Sequence, residues 1–531
     1  MSGCMTHNLL CGFVLCAIAS AGQAQSLDIG ADDLRLRSNN TLRYNWAQRA
    51  QGRDARIANN GAYDQGDALF ARGDTIANRL DWLGEFDLFY RDNSGLRLTA
   101  AAWFDAAYGK QGSANPAALP SAAPSYSGNT FTRYVERYYR GPSGEFLDAF
   151  AFTAIDMGDT LWNVKAGRHA VVWGESLFGS AHAVSYSQTP ADGGKSVANP
   201  GASAKETALP INQLSLVAQI APELSFLGQY LFEWRPNRLP EGGTFFGVAD
   251  NVLKGPDVNR LPALPGQRGD WGLGLKWSPA WLDGTLGMYA RRFDDKAAWV
   301  AQSVGGGLTR AVYAKGIDLW GVTLSKNVAG VAVGAELSLR RNDPLTSDAA
   351  NSAPLVFEGA RGSTWHALFN GVLALGPTRF YDLASLSGEL AWSRLDRVTS
   401  NPGLYRAQGY LAACDTLAKV KGCADKEYFG VSLSFVPTWL QVFPGVDVEM
   451  PWFYSVGLKG NAPSNGGGTE GAVIWKVGLT AKAYARHQFD LAYTGYDQKL
   501  LADPTSPFGS RILGAPYKDK GWLSFTYQIS F

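Results

Sequence analysis

Charge is scarce in this chain. Asp, Glu, Lys and Arg make up 18% of its 531 residues, against roughly 25% in an average soluble chain. The two signs nearly cancel, with 48 Lys and Arg against 47 Asp and Glu, so no basic footprint points to nucleic acid. Long apolar runs are also missing beyond the first two dozen residues. The nearest candidate, 214–232, is broken at Pro222 and Glu223, far short of the roughly 20 residues a membrane helix needs. It reads as two strands around a tight turn, and a helical membrane protein is excluded.

Catalytic and metal signatures are absent too. His169, His182, His366 and His487 stand in no H-E-x-x-H or Cys-x-x-Cys context, and there is no G-x-S-x-G elbow or phosphate loop. Gly466, Gly468 and Gly471 match G-x-G-x-x-G by letters, but strand alternation follows them, so the segment reads as a flexible loop tip. His182 with Ser180, Ser185 or Ser187 is the only pair open to hydrolytic chemistry, and it has no third partner. The expectation is a chain that is not an enzyme, without cofactor or metal.

What is present is glycine, 61 residues, with aromatics at 12% and hydrophobic residues at 46%; that content excludes global disorder. The apolar stretch from Leu9 to Ser20, with Gly22 and Ala24 in small-x-small spacing, predicts a signal peptide over 1–24 with Gln25 first in the mature chain. No Lys or Arg precedes the stretch, and a retained short anchor is the alternative. Cys4, Cys11 and Cys16 would leave with the signal, and Cys414 and Cys423 would form one disulfide in an exported chain or stay as two thiols. Two ligands alone make no zinc site.

Period-two alternation dominates the rest. From 79 to 91 one face carries Leu80, Trp82, Gly84, Phe86, Leu88 and Tyr90; the other carries Arg79, Asp81, Glu85 and Asp87. Similar segments over 96–108, 473–482 and 488–494 have the form of membrane-barrel strands, apolar toward lipid and polar toward water. The expected fold is all-β: a closed antiparallel transmembrane barrel of about 16–18 strands, an even number as in bacterial barrels. Short connections (92–95, 222–223, 278–283, 326–330) alternate with long ones (111–129, 174–210, 235–269, 342–363, 397–426, 460–471, 498–520). The alternation is expected to fail near 111–129, leaving 25–78 as a plug or a first strand and 79–531 as barrel. Such strands would take up about a third of the chain, so a long segment is expected to fill or cap the lumen. At the end of the chain Leu523, Phe525, Tyr527, Ile529 and Phe531 alternate with polar residues. That ending resembles the signal read by the outer-membrane assembly machinery.

Charges of both signs gather between 168 and 238: Arg168, Glu175, Asp192, Lys195, Lys205, Glu206, Glu233, Arg235 and Arg238. Inside a barrel they would form either a constriction with a transverse field or salt-bridged struts that brace a folded-in loop.

The same region carries a family likeness. The run from Gly167 to Ser176, GRHAVVWGES with Trp173 and Gly174 at its centre, resembles the G-R-Q-V-V-S-W-G-E-S signature of a Gram-negative outer-membrane family known as domain of unknown function thirteen-oh-two. Pro190-Ala191-Asp192, Lys195, Pro200-Gly201, Lys205-Glu206 and Leu209-Pro210 follow in the family's order. Glu233-Trp234-Arg235-Pro236 with Arg238-Leu239, Phe443–Asp447 and Trp522–Phe531 are similar to its later hallmarks. His169 stands where the family often has Gln, and Asn199 where Arg often precedes Pro-Gly. The resemblance implies an outer-membrane barrel that passes or binds hydrophobic or aromatic compounds. The expected partners are outer-membrane lipids, the assembly machinery and a hydrophobic small-molecule solute. A porin for polar solutes and a surface adhesin are the alternatives.

Overall fold

The computed structural model describes residues 25–28, 33–91, 93–113, 124–199, 202, 204–257, 269–303, 309–347, 358–503, 505–506 and 509–531. The expected signal segment, 1–24, lies outside them.

Eighteen antiparallel strands close into one barrel. In chain order they are β1 (Leu34–Arg49), β2 (Thr75–Tyr90), β3 (Ser94–Asp105), β4 (Ser143–Met157), β5 (Thr160–His169) and β6 (Ile211–Ala221). Then come β7 (Leu224–Leu231), β8 (Trp271–Trp277), β9 (Gly284–Phe293), β10 (Ile317–Val328), β11 (Val331–Pro344) and β12 (Arg361–Leu375). The ring is completed by β13 (Leu383–Ser400), β14 (Glu427–Phe443), β15 (Val446–Glu449 continued by Trp452–Lys459), β16 (Val473–Ala483), β17 (His487–Asp497) and β18 (Trp522–Ser530). Each strand pairs with its neighbour in sequence, and β18 closes on β1 with Tyr44 opposite Tyr527. Closure leaves no unpaired edge, which a strand protein in lipid requires.

The wall therefore starts at Leu34, within the segment left open between plug and strand. The expected break near 111–129 does not occur. Gly158 and Asp159 turn β4 into β5, with Gly158 at φ +68°, and this two-residue turn restores the alternation of short turns at one end with long loops at the other.

The two faces of the wall differ as the alternation requires. On the outer face Leu96, Phe146, Val322, Leu386 and Leu433 are exposed, and Trp281 and Tyr484 stand out at the turn end, where aromatic girdles meet the interface. On the inner face Arg79, Asp81, Asp87, Glu336 and Glu389 are buried.

At the loop end, the described parts of three loops, 50–74, 106–113 with 124–142, and 232–257, converge on an aromatic cluster that includes Phe70, Tyr108, Tyr126, Phe245 and Phe246, closed by Trp522 of β18. Fully buried Arg49 ties them down, with Asp67 at 2.8 Å and Asp519 at 3.3 Å. Asp250 accepts the N–H groups of Gln65 (2.8 Å) and Gly66 (2.9 Å). Burial pushes the Asp250 carboxyl up to about 7. Cys414 and Cys423 are bonded to each other in the loop before β14, also at this end.

The wall and the cap can each be tested. Val322→Arg places a charge midway along lipid-facing β10 and is expected to cost about 2–4 kcal/mol, whereas lumen-facing Ser434→Arg is expected to be mild. Urea unfolding in liposomes checks both. Because the Asp250 pKa is raised in the folded state, its contribution is complete below the ordinary aspartate value and is lost as pH rises through about 7. The cap of wild-type protein is therefore expected to be cleaved faster by protease at pH 8.5 than at pH 5.5, after correction for protease activity. Asp250→Asn is expected to flatten that difference.

Candidate functional site

The connection from β5 to β6, residues 170–210, leaves the wall and crosses the lumen as a strap. Trp173 starts it, stacked on Tyr289 at 5.7 Å, over a space that exists because residue 272 is glycine: a Cβ there would lie 2.7 Å from the indole. Gly174 then turns the chain at φ +97°, where a Cβ would lie 2.3 Å from a Glu336 carboxylate oxygen. Only glycine fits on both counts.

Beyond this turn the strap has little regular structure, so its buried backbone groups need partners from the wall. Two glutamates supply most of them. Glu336 of β11 accepts the N–H of Glu175, of Ser176 (3.0 Å) and of Val184 (2.6 Å). Glu389 of β13 accepts those of Leu177 (2.7 Å), Phe178 (3.1 Å) and Gly179. Both glutamates are 4% exposed. The carbonyls are held in turn by cations: Arg340 binds those of Ala181 and Ala183, and Arg291 those of Val184 and Tyr186. β13 lies eight strands round the ring from β5, so this half of the strap reaches the far wall.

The second half returns to β1–β4. Asp192 caps the short helix Gly193–Ala198 through the Lys195 N–H. Glu145 of β4 then holds Lys195 (3.0 Å) and Arg238 (2.7 Å), and Arg238 also reaches Asp192 (3.0 Å). Asn199 touches Asp81 of β2 at 3.3 Å. Glu206 meets Arg43 of β1 at 3.0 Å with both side chains 3% exposed, and Lys205 meets Glu85 of β2 at 2.6 Å.

Asp192, Lys195, Lys205, Glu206 and Arg238 are therefore braces between the strap and the wall. Three other residues weighed for the constriction sit elsewhere. Arg168 shares its strand face with Ala166 and pairs with Asn212, which places it on the side opposite His169, and it donates to the Pro210 carbonyl at the rim. Glu233 caps the end of the β6–β7 ladder at the Asn212 N–H and pairs with Arg235. Trp234 between them donates to the Asp295 carbonyl, and Pro236 follows. Glu175 makes no ion pair among the described residues; burial raises its pKa while Lys276 pulls it down.

His182 engages no serine hydroxyl. Its Nε2 lies 2.7 Å from the Gly467 carbonyl, which can only accept, so Nε2 carries the proton, and Nδ1 lies 3.1 Å from Nδ1 of His366. Burial holds the His182 pKa well below its usual value. The glycine tip expected to be flexible is thus tied to the strap.

The open space follows from this arrangement. Around Lys195 and Asn199 only about 40 Å³ remains. Between Gly179–His182 and β13–β15 there is about 240 Å³, lined by Ser432 and Ser455. A polar mouth of about 840 Å³ at the loop end shares Gly466, Gly467 and Gly468 with it. The glycine tip thus borders both the mouth and the space on the β13–β15 side of the strap.

Apolar outer belt, closed wall and internal strap define a transmembrane barrel of the outer-membrane type. The chain belongs to the family described as "Protein of unknown function (DUF1302)", whose sequence model matches residues 9–531. No curated protein matches it. Among solved structures it is similar to OccAB1 of Acinetobacter baumannii (11% identity, TM-score 0.45, covering 96% of this chain and 99% of that one). It is also similar to OccAB2 of the same organism (11%, 0.43, 93% and 98%) and to OpdK of Pseudomonas aeruginosa, solved with vanillate (10%, 0.41, 93% and 98%).

Neutralising both wall carboxylates tests the pinning. Weakening each charge-assisted hydrogen bond costs about 1–3 kcal/mol. Glu336→Gln with Glu389→Gln is expected to raise ion conductance and to expose a cysteine placed at fully buried Ala183 to thiol reagents. Unchanged conductance and labelling would show that the two glutamates do not hold the strap.

Proposed function

We propose that the protein is an outer-membrane channel of a Gram-negative bacterium, through which small molecules with a hydrophobic or aromatic body pass passively, inward or outward. The chain reaches the membrane through a cleaved signal peptide and the barrel-assembly machinery, and lipid covers its belt. The observation that carries this reading is the strap. A barrel of 18 strands is wide enough for an aqueous pore, and a segment braced to opposite walls narrows it to a path beside Gly179–His182. Glu175, half-buried, stands in the strap just ahead of that stretch. Inward-facing phenylalanines on β2 and β4 support a solute with an apolar body.

A second reading, a porin for polar solutes, is favoured by Ser432, Ser455 and the polar mouth. Two sugars separate the readings in proteoliposome swelling. Phenyl glucoside is expected to permeate faster than the smaller methyl glucoside, and Glu175→Gln is expected to change the ratio without preventing folding. Faster permeation of methyl glucoside would establish the polar-solute porin, and permeation of neither would overturn the channel.

A further inference from the structure

Three phenylalanines face the water-filled side of the wall on the turn side of the strap. For Phe150 and Phe152 the cause is a bulge in β4. The register between β3 and β4 shifts between Leu98 and Ala100, so Phe146 points to lipid, 59% exposed, while Phe150 and Phe152 point inward. Without the bulge the three would share one face. Phe152 lies in a row across the wall that reads Arg35, Phe89, Gly95, Phe152, Lys165, Ser215. Phe150 lies in the next, which reads Arg37, Asp87, Arg97, Phe150, Gly167, Gln213.

The rings form one shelf, with centroids 5.8 Å apart for Phe89 and Phe152 and 6.2 Å for Phe150 and Phe152. Each ring remains half-buried. The shelf's floor depends on Gly95, where a Cβ would lie 2.6 Å from the Phe152 ring. A barrel interior is ordinarily polar, and contiguous apolar surface open to water marks a contact site.

Cations flank the rings. The Lys165 ammonium lies 5.6 Å from the Phe150 centroid, and the Arg35 and Arg37 guanidinium groups lie 5.0 and 5.6 Å from that of Phe89. All three are exposed. Asp87 is shared by Arg37 (2.7 Å) and Arg97 (2.6 Å), one carboxylate between two cations. Of the other acids on this face, Glu85 is taken by Lys205, Asp148 accepts from Thr99, and Asp156 lies at the turn end of β4. Lys165 forms no ion pair among the described residues.

We propose that this shelf is a binding subsite for amphipathic anions: the apolar body rests on Phe89, Phe150 and Phe152, and an oxyanion head is held by Lys165, with Arg37 and Arg97 beside it. The subsite deepens the channel reading and rests on it. It lies past the strap from the mouth and adds a charge requirement to the apolar body. Carboxylate and phosphate heads satisfy the same chemistry.

The probe is 4-phenylbutyrate, with 4-phenylbutanol lacking the charge, butyrate lacking the ring and phenyl phosphate carrying the other head. Binding is read by equilibrium dialysis against the folded barrel and by interruption of its ion current. Wild-type protein is expected to hold 4-phenylbutyrate more tightly than the alcohol or butyrate. Lys165→Gln is expected to weaken it about tenfold, as when one hydrogen bond to a charged group is lost, while Lys476→Gln on the opposite wall leaves it unchanged. Phe150→Ser with Phe152→Ser is expected to abolish the preference over butyrate. The subsite is overturned if Lys165→Gln binds as wild type does, or if both lysine variants weaken binding equally. Dialysis decides the subsite even if the barrel passes no current or sugar, so the two failures are distinguishable. Relative affinities of 4-phenylbutyrate and phenyl phosphate tell which head is preferred.

Discussion

An irregular segment inside a barrel must find partners for its backbone N–H and C=O groups, and the rest of the lumen is arranged around that need. Glu336 and Glu389 each take three N–H groups of the strap, and Arg291 and Arg340 take its carbonyls. Each of these side chains is itself buried, and a buried charge is tolerated only when fully hydrogen-bonded. Wall and strap therefore satisfy each other: the strap's N–H and C=O groups replace the water that the four charges would otherwise bind, and the charges give the strap the partners its backbone needs.

Gly174 of the family signature and Gly179 just beyond it acquire a reason from this arrangement. Gly174 and Gly179 sit where a carboxylate oxygen occupies the place of a Cβ, so the close approach of wall glutamate to strap backbone requires them. The Trp173 ring fixes where the strap departs from the wall by stacking on Tyr289. At the other end, Glu145 sets the return by binding Lys195 and Arg238 together. The narrow side and the open side of the lumen both follow, since the helix Gly193–Ala198 packs against β1–β4 while Gly179–His182 leaves space against β13–β15.

The barrel was legible in the sequence because strand alternation is a local signal. Arg79–Arg91 assigned its inner and outer residues correctly, and the terminal alternation ending at Phe531 marked a true wall strand. That some long segment fills or caps the lumen was legible from spare length, while the charges between 168 and 238 left open whether they brace a folded-in loop or form a constriction. The strap's partners were not legible: Glu336 and Glu389 are 161 and 210 residues from the N–H groups they hold, and a glutamate on an inward strand position looks like any other. Arg168, Glu233 and Arg235 were grouped with the braces by nearness in sequence, but strand parity sends Arg168 to the other face. The bulge in β4 was also hidden, since Phe146, Phe150 and Phe152 keep an even spacing through it and only the neighbouring strand reveals the slip. Loop 50–74 and β1 were obscured by a short-helix segment that breaks the alternation.

The central claim is that residues 174–184 lie against β11–β13 and so set the path through the barrel. A cross-link tests it most directly. A Cβ at Gly179 would lie 3.6 Å from that of Ala391, within the range of a disulfide. The double variant Gly179→Cys, Ala391→Cys is therefore expected to form the bond in folded protein under oxidising conditions, and its conductance is expected to rise when the bond is reduced, because the cysteine at 179 crowds Glu389. Absence of the cross-link in folded protein, or a conductance indifferent to it, would contradict the account.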